Sequence, residues 1–137
     1  SVSRGLGDVY KRQIYDRAKH VVEECARVKE SVKALKEGNI EYFGELLNRS
    51  HYSLRDLYEV TGKELDSLTA HSREFEYCIG SRMTGAGFGG CTVSLVRSDK
   101  VDEFIAYVSE KYKADIGYEA LFYKTSVENG AQELDAE

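Results

Sequence analysis

The residues with the clearest chemical potential lie in one stretch, "GSRMTGAGFGGCTVSLV", which starts at Gly80 and ends at Val96. Gly85, Gly87, Gly89 and Gly90 crowd into six positions, with Ala86 and Phe88 between them. Glycine serves a backbone that needs positive φ or must let another group come close, and repeated glycines turn successive N–H groups toward an anion. Arg82 and Thr84, just ahead, stand within reach of a phosphate or of the groups that hold one. Gly85, Gly87 and Gly90 also spell G-x-G-x-x-G, the dinucleotide fingerprint. That fingerprint needs a helix to begin at the glycines, so that its N-terminus faces a pyrophosphate. Instead "CTVSLVR" follows, and its period of two predicts a strand. The dinucleotide reading fails there. A plain hairpin turn needs only one or two glycines, so the loop is read as an anion-facing or close-approach element.

Other polar residues make weaker sites. Ser50, His51, Ser53, Arg55 and Asp56 in "SHYSLRD" hold the residue types of a Ser-His-Asp triad. Neighbours on one helix cannot easily adopt relayed triad geometry, so they are read as a polar network bracing the glycine loop. His20 and His71 stand singly, without ligand spacing, and are read as surface or satisfied structural residues. Cys91 has no basic neighbour to lower its pKa and is read as a core residue. These readings leave no catalytic residue and no metal ligand in the chain.

The elements that position the loop follow from periodicity. Ile14, Ala18, Val21, Cys25, Val28, Val32 and Leu35 step by four and three, which predicts a long helix ending near Gly38. The stripe suits a coiled-coil seam or a helix packed on its own domain, and the second reading is preferred. Asn39 can cap a second helix carrying Ile40, Phe43, Leu46, Leu47 and Leu54. Thr61 and Glu64 have capping-box spacing ahead of Leu65 and Leu68, which starts a third. Residues 79–84 and 91–97 are predicted as antiparallel strands around the loop, with Cys91, Val93 and Leu95 inside. Ser98 or Asp99 can cap a fourth helix whose core face is Val101, Phe104, Ile105, Val108 and Tyr112. "EALFYKT" reads as a last strand. The fold class is α+β, an antiparallel sheet covered on one face by helices. Residues 1–13, "SVSRGLGDVYKRQ", have no period and read as a non-native or disordered tail; residues 14–137 form the domain.

Composition bounds the rest. The 137 residues are 42% hydrophobic and 31% charged, enough for one ordinary core. A net charge of −5 argues against broad nucleic-acid or anionic-membrane binding. No apolar run reaches the ~18 residues of a membrane span, and no signal-peptide pattern opens the chain. Cys25, Cys78 and Cys91 form no C-x-x-C pattern, and an odd count suits a reducing compartment where each is a small buried hydrophobe. The expected location is cytoplasmic.

The glycine stretch strongly resembles the third conserved motif of the GHMP small-molecule kinases, in the form carried by galactokinases. "NRSHYSLRDLYEVTGKELDSL", "RAKHVVEE" and "ALFYKTSVENGAQEL" fit the same family, so the resemblance covers residues 14–134. "HSREFEYCIGS" departs from the usual smaller, less charged turn into the strand. The resemblance implies the ferredoxin-like C-terminal domain of these enzymes. It implies a sugar kinase that uses ATP and Mg²⁺ to phosphorylate galactose at C1. N-acetylgalactosamine and arabinose are alternative sugars, and a non-catalytic binding module is a different class of alternative. The family's sugar signature, ATP-phosphate loop and catalytic Asp have no counterpart here. The resemblance therefore implies a C-terminal portion, inactive alone, on which a missing N-terminal domain packs. Its site contribution would be the supporting loop of Arg82, Thr84, Gly85, Ala86, Gly87, Phe88, Gly89 and Gly90, with ATP and Mg²⁺ bound mainly by the missing half.

Overall fold

The computed structural model describes residues 2–128, without the side chains of residues 2–4 and 6. The expected resemblance beyond residue 128 lies outside the described residues. Among the described residues, four helices and a two-stranded antiparallel sheet make an α+β arrangement. Helix α1 (Val2–Lys36) is followed by α2 (Ile40–Ser53), a π-helical turn (Leu54–Tyr58) and α3 (Lys63–Glu74). The hairpin β1 (Cys78–Thr84) and β2 (Cys91–Val96) comes next, then a 3₁₀ turn (Ser98–Lys100) and α4 (Val101–Ile116).

Helix α1 does not begin at Ile14, where its apolar period begins, but runs back to Val2. Each added helical residue gains a backbone hydrogen bond once a nucleus exists, so a helix can continue without an apolar face. Residues 8–13 of that extension are exposed. The preferred packing of α1 is corrected as well. Ile14, Val21, Val28, Val32 and Leu35 are 48–56% exposed, and Cys25 and Ala18 are exposed with them. The buried side instead carries His20 and Ala34, with Glu24 and Arg27 half-buried beside them. Two of them find partners on α2: His20 Nδ1 lies 2.7 Å from Ser53 Oγ, and Ser50 Oγ donates to Glu24 Oε1 at 2.7 Å. Periodicity marks an amphipathic helix but not which side its own domain covers.

Helix α2 starts as expected, with Asn39 Oδ1 accepting from the Tyr42 N–H at 3.1 Å. It then runs along the edge of β1 that β2 leaves open. A β-carbon on Gly44 would fall 2.1 Å from the Ile79 carbonyl oxygen, and one on Gly80 would fall 2.3 Å from the Gly44 oxygen, so the two backbones touch. Two edge N–H groups end on α2 side chains: Ser81 N–H on Asn48 Oδ1 at 2.8 Å, and Met83 N–H on His51 Nδ1 at 3.0 Å. An edge strand that would otherwise invite pairing is thereby covered. Beneath it Leu54, Leu65 and Met83 pack together, with Val60 against them.

Three local expectations change. Gly62, not Thr61, precedes α3, and Thr61 is 3% exposed, so its side chain points into the core and cannot cap. Helix α4 begins at Val101 after the 3₁₀ turn, without a capping side chain from Ser98 or Asp99, although Phe104, Val108 and Tyr112 form its buried face. The inward phase of β2 is reversed. Met83 pairs with Thr92 and Ser81 with Ser94, so Thr92 and Ser94 share the face of the buried β1 residues. Cys91 and Val93 fall on the opposite, exposed face, and Leu95 is half-buried. A shift of one residue in phase exchanges the two faces of a strand. Cys25 and Cys91 are therefore exposed rather than buried; Cys78 is half-buried, and burial pushes its thiol up to about 11.

The expected last strand does not form. Residues 118–128 run outside any helix or sheet, with Leu121 and Tyr123 84% and 85% exposed. A groove separates them from β2, which leaves them no strand to pair with.

Candidate functional site

The glycine loop leaves β1 at the exposed Thr84 and enters β2 at Cys91, so no helix begins at the glycines. Gly85, Gly87 and Gly89 have φ of 79°, 84° and 86°, and Phe88 joins them at 53°. Four left-handed residues in five explain the composition. Three are glycine because a β-carbon is strained there. Phe88 has no such excuse, and its ring stands 75% exposed at the crest of the loop. Ala86 and Gly90 are exposed too.

Gly87 has a second reason for lacking a side chain. A β-carbon there would lie 1.9 Å from the Val60 carbonyl oxygen, and that oxygen accepts the Phe88 N–H at 2.8 Å. The close approach expected from the glycines is thus made to the segment between the π-helical turn and α3. Val60 had no signal in sequence, because the contact is made by its backbone.

Arg82 is half-buried and committed within the chain. Its Nη1 lies 3.6 Å from Glu24 Oε1, and its Nε donates to the Met83 carbonyl at 2.7 Å. Glu24 is a hub for three elements, since Ser50 Oγ and Arg27 Nε also donate to it, the latter at 3.0 Å. Any anion near the loop meets Arg82 already partly neutralised.

The brace under the loop is His51, which is fully buried. Its Nδ1 accepts from Met83 N–H, so the ring proton sits on Nε2, which donates to Asp66 Oδ1 at 2.9 Å. Thr69 Oγ1 stands 3.1 Å from the same nitrogen. Burial holds the His51 pKa below its ordinary value despite Asp66, and the imidazole is neutral near pH 7. This is no hydrolytic triad. Ser50 bonds Glu24, Asp56 pairs at the surface with Arg55, and the carboxylate on His51 comes from α3. Of the five polar residues singled out in sequence, His51 touches the strand that feeds the loop, Ser50 and Ser53 tie α2 to α1, and Arg55 and Asp56 serve neither purpose. His20, read as a surface or satisfied residue, is buried and bonded to Ser53; His71 bridges Glu74 and Asp115. Among the described residues no group of three or more His, Cys, Asp and Glu side chains is placed to hold a metal ion. None of the helices is long and apolar enough to cross a membrane, again among the described residues.

A glycine loop held left-handed between two antiparallel strands and backed by helices makes this an α+β domain with one unusual hairpin. The chain belongs to the GHMP kinase family: the model described as "GHMP kinases C terminal" matches residues 31–114. Within that family its likeness is to galactokinases. It is 53% identical to the galactokinase of Clostridium perfringens (strain SM101 / Type A) across 93% of this chain and 34% of that protein. It is 56% identical to that of Fusobacterium nucleatum across 84% of this chain and 30% of that protein. Lactococcus lactis galactokinase, solved in complex with galactose, superimposes with a TM-score of 0.80 at 48% identity, covering 82% of this chain and 29% of that one. L. major mevalonate kinase, in complex with R-mevalonate, gives 0.57 at 25% identity over 80% and 31%. The chain thus spans about a third of the relatives it matches. A match across 93% of the chain is longer than residues 14–137 can supply, so the likeness reaches into the first thirteen residues.

Proposed function

We propose that this chain is the C-terminal portion of a galactokinase, and that its glycine loop supports the site of phosphoryl transfer. The observation that carries the reading is 53% identity to a galactokinase over nearly the whole chain, glycine stretch included in a loop held left-handed at four positions. ATP would supply the γ-phosphoryl group, with Mg²⁺ offsetting its charge, and the C1 hydroxyl of galactose would accept it. Among the described residues no side-chain cluster is placed for Mg²⁺, Arg82 is paired with Glu24, and the Phe88 N–H is used by Val60, which favours a supporting rather than a binding role for this loop. On this reading the nucleotide, the metal and the proton acceptor would be held by the portion that precedes this one in the relatives.

The role left for this chain is positioning. Thr84, Gly85, Ala86, Gly87, Phe88, Gly89 and Gly90 would form one wall of the cleft, with Arg82 and Glu24 setting its charge. Phosphoryl transfer depends mainly on alignment and preorganised charge, so a wall fixed by Val60 and His51 contributes by not moving. The remaining surface would carry the N-terminal domain, and the location would be the cytoplasm. The upstream two thirds of the C. perfringens galactokinase joined to this chain should consume ATP with galactose in a coupled assay, run beside N-acetylgalactosamine and arabinose. Activity should vanish in the fusion bearing Gly87→Val. Turnover by this chain alone would overturn the division of labour.

A further inference from the structure

Gly87, Phe88 and Gly89 are left-handed in succession, with φ of 84°, 53° and 86°. Glycine takes this conformation freely, whereas a β-carbon is strained in it. Among the described residues Glu59 is the only other non-glycine with positive φ, and its side chain is used inside the chain. Glu59 caps the π-helical turn, and its carboxylate meets Arg17 at 2.9 Å. The Phe88 ring has no such use, since it stands 75% exposed.

The backbone under the ring does not need a side chain either. Phe88 N–H donates to the Val60 carbonyl at 2.8 Å, and Gly87 lies against the same oxygen. A glycine at position 88 would keep that hydrogen bond and remove the strain. A single exposed apolar residue is ordinary surface, but one that also strains the backbone points to a role outside its own domain. The rest of the crest is small and uncharged, with Ala86 and Gly90 exposed beside the ring, while Arg82 below is paired with Glu24. Phe88 is thus the bulky group on this wall. A phenyl ring offers a phosphate neither charge nor proton, so its chemistry there is exclusion of water.

We propose that Phe88 is a positioning residue for phosphoryl transfer, its ring presented by the left-handed loop to the portion of the relatives that this chain does not span, where it keeps water out of the cleft. This rests on the reading of the loop as one wall of that cleft, and goes beyond it by assigning a selective role to one side chain. Transfer to the sugar breaks the bond from the γ-phosphorus to the bridging oxygen of the β-phosphate and forms one to the sugar oxygen, whose proton leaves to the upstream acceptor. Attack by water breaks the same bond and yields ADP, inorganic phosphate and a proton. Filling the space beside the reacting groups suppresses that side reaction.

The test has two arms, on the isolated chain and on its fusion to the upstream two thirds of the C. perfringens galactokinase. In the isolated chain Phe88→Gly should unfold at a urea midpoint about 0.3 M or more above Phe88→Ala, since both lose the ring and only glycine loses the strain. A 4-fluorophenylalanine at position 88 should show a large H₂O-to-D₂O shift of its fluorine resonance in the isolated chain and lose most of it in the fusion. In the fusion both variants should cut kcat for galactose by about tenfold or more, with a smaller change in KM, and raise ADP release without sugar. Phe88→Leu, bulky and apolar, should recover most of both. Equal midpoints for the glycine and alanine variants, or variants as fast and as tightly coupled to sugar as the parent fusion, overturn this role and leave the proposed function standing. A fluorine label that stays solvated in a fusion that turns over galactose does the same. A fusion without turnover overturns the proposed function and this role with it.

Discussion

Gly87 and its neighbours separate two reasons for glycine that look alike in sequence. At Gly85 and Gly89 an added β-carbon would meet nothing within 4 Å, so only the left-handed backbone opposes it. At Gly87 the same strain is joined by a collision with the Val60 carbonyl. Gly85→Ala and Gly89→Ala should each cost about 1–2 kcal/mol, and Gly87→Ala clearly more, in urea unfolding of the isolated chain. Equal losses at all three would show that Val60 yields easily. Phe88→Ala should leave stability nearly unchanged, since the ring it removes is mostly in water. His51 behaves otherwise. Its loss in His51→Ala strips Met83 N–H of its acceptor and Asp66 of its donor, and should cost about 2–4 kcal/mol in the same measurement.

Between elements, histidines set opposite pH dependences. Burial lowers the pKa values of His20 and His51, so each contributes stability that is present above the unfolded value near 6.5 and is lost as pH falls through the folded value. His71 meets Glu74 of its own helix at 2.9 Å and joins α3 to α4 through Asp115 at 2.5 Å. Burial alone would lower its pKa, but the two carboxylate hydrogen bonds outweigh it and raise the value. Its contribution is complete below about 6.5 and is lost as pH rises through the raised value. Urea unfolding across pH 5–9 should therefore lose stability on the acid side through His51 and His20, and His71→Gln should flatten the alkaline side only. An unchanged alkaline limb in that variant would remove His71 from the account. These contacts also mark what could be read in advance. Helices α2 to α4, the hairpin and the loop were legible because each has a period, a cap or a glycine cluster within about a dozen residues. The phase of β2, the exposed side of α1 and the role of Thr61 were not, because each depends on what another element covers. Asp66 as the partner of His51 and Val60 as the partner of Gly87 were illegible for the same reason.

Across the whole molecule, the two misjudged faces tell one story. Ile14, Val21, Cys25, Val28, Val32 and Leu35 on α1, and Cys91 and Val93 on β2, are apolar positions in regular phase that the described residues leave uncovered. A stripe repeating every three and four residues over three heptads exceeds scattered surface hydrophobes and marks a contact surface. The chain spans about a third of its relatives, so the proposed remainder is the natural cover, and without it the stripe has only other copies to pack on. The isolated chain should therefore self-associate through α1 at concentrations of tens of micromolar or above, about where modest apolar interfaces form. Val21→Glu with Val32→Glu places two charges on the stripe, at side chains that are already about half exposed. Sedimentation velocity should show the wild-type chain shifting to larger species with concentration and the double variant staying monomeric. Its melting temperature should not fall, because both valines are already half in water. A wild-type chain that remains monomeric at every concentration would show that the stripe does not seek a partner. Loss of the fold in the variant would show that these valines pack within the domain after all.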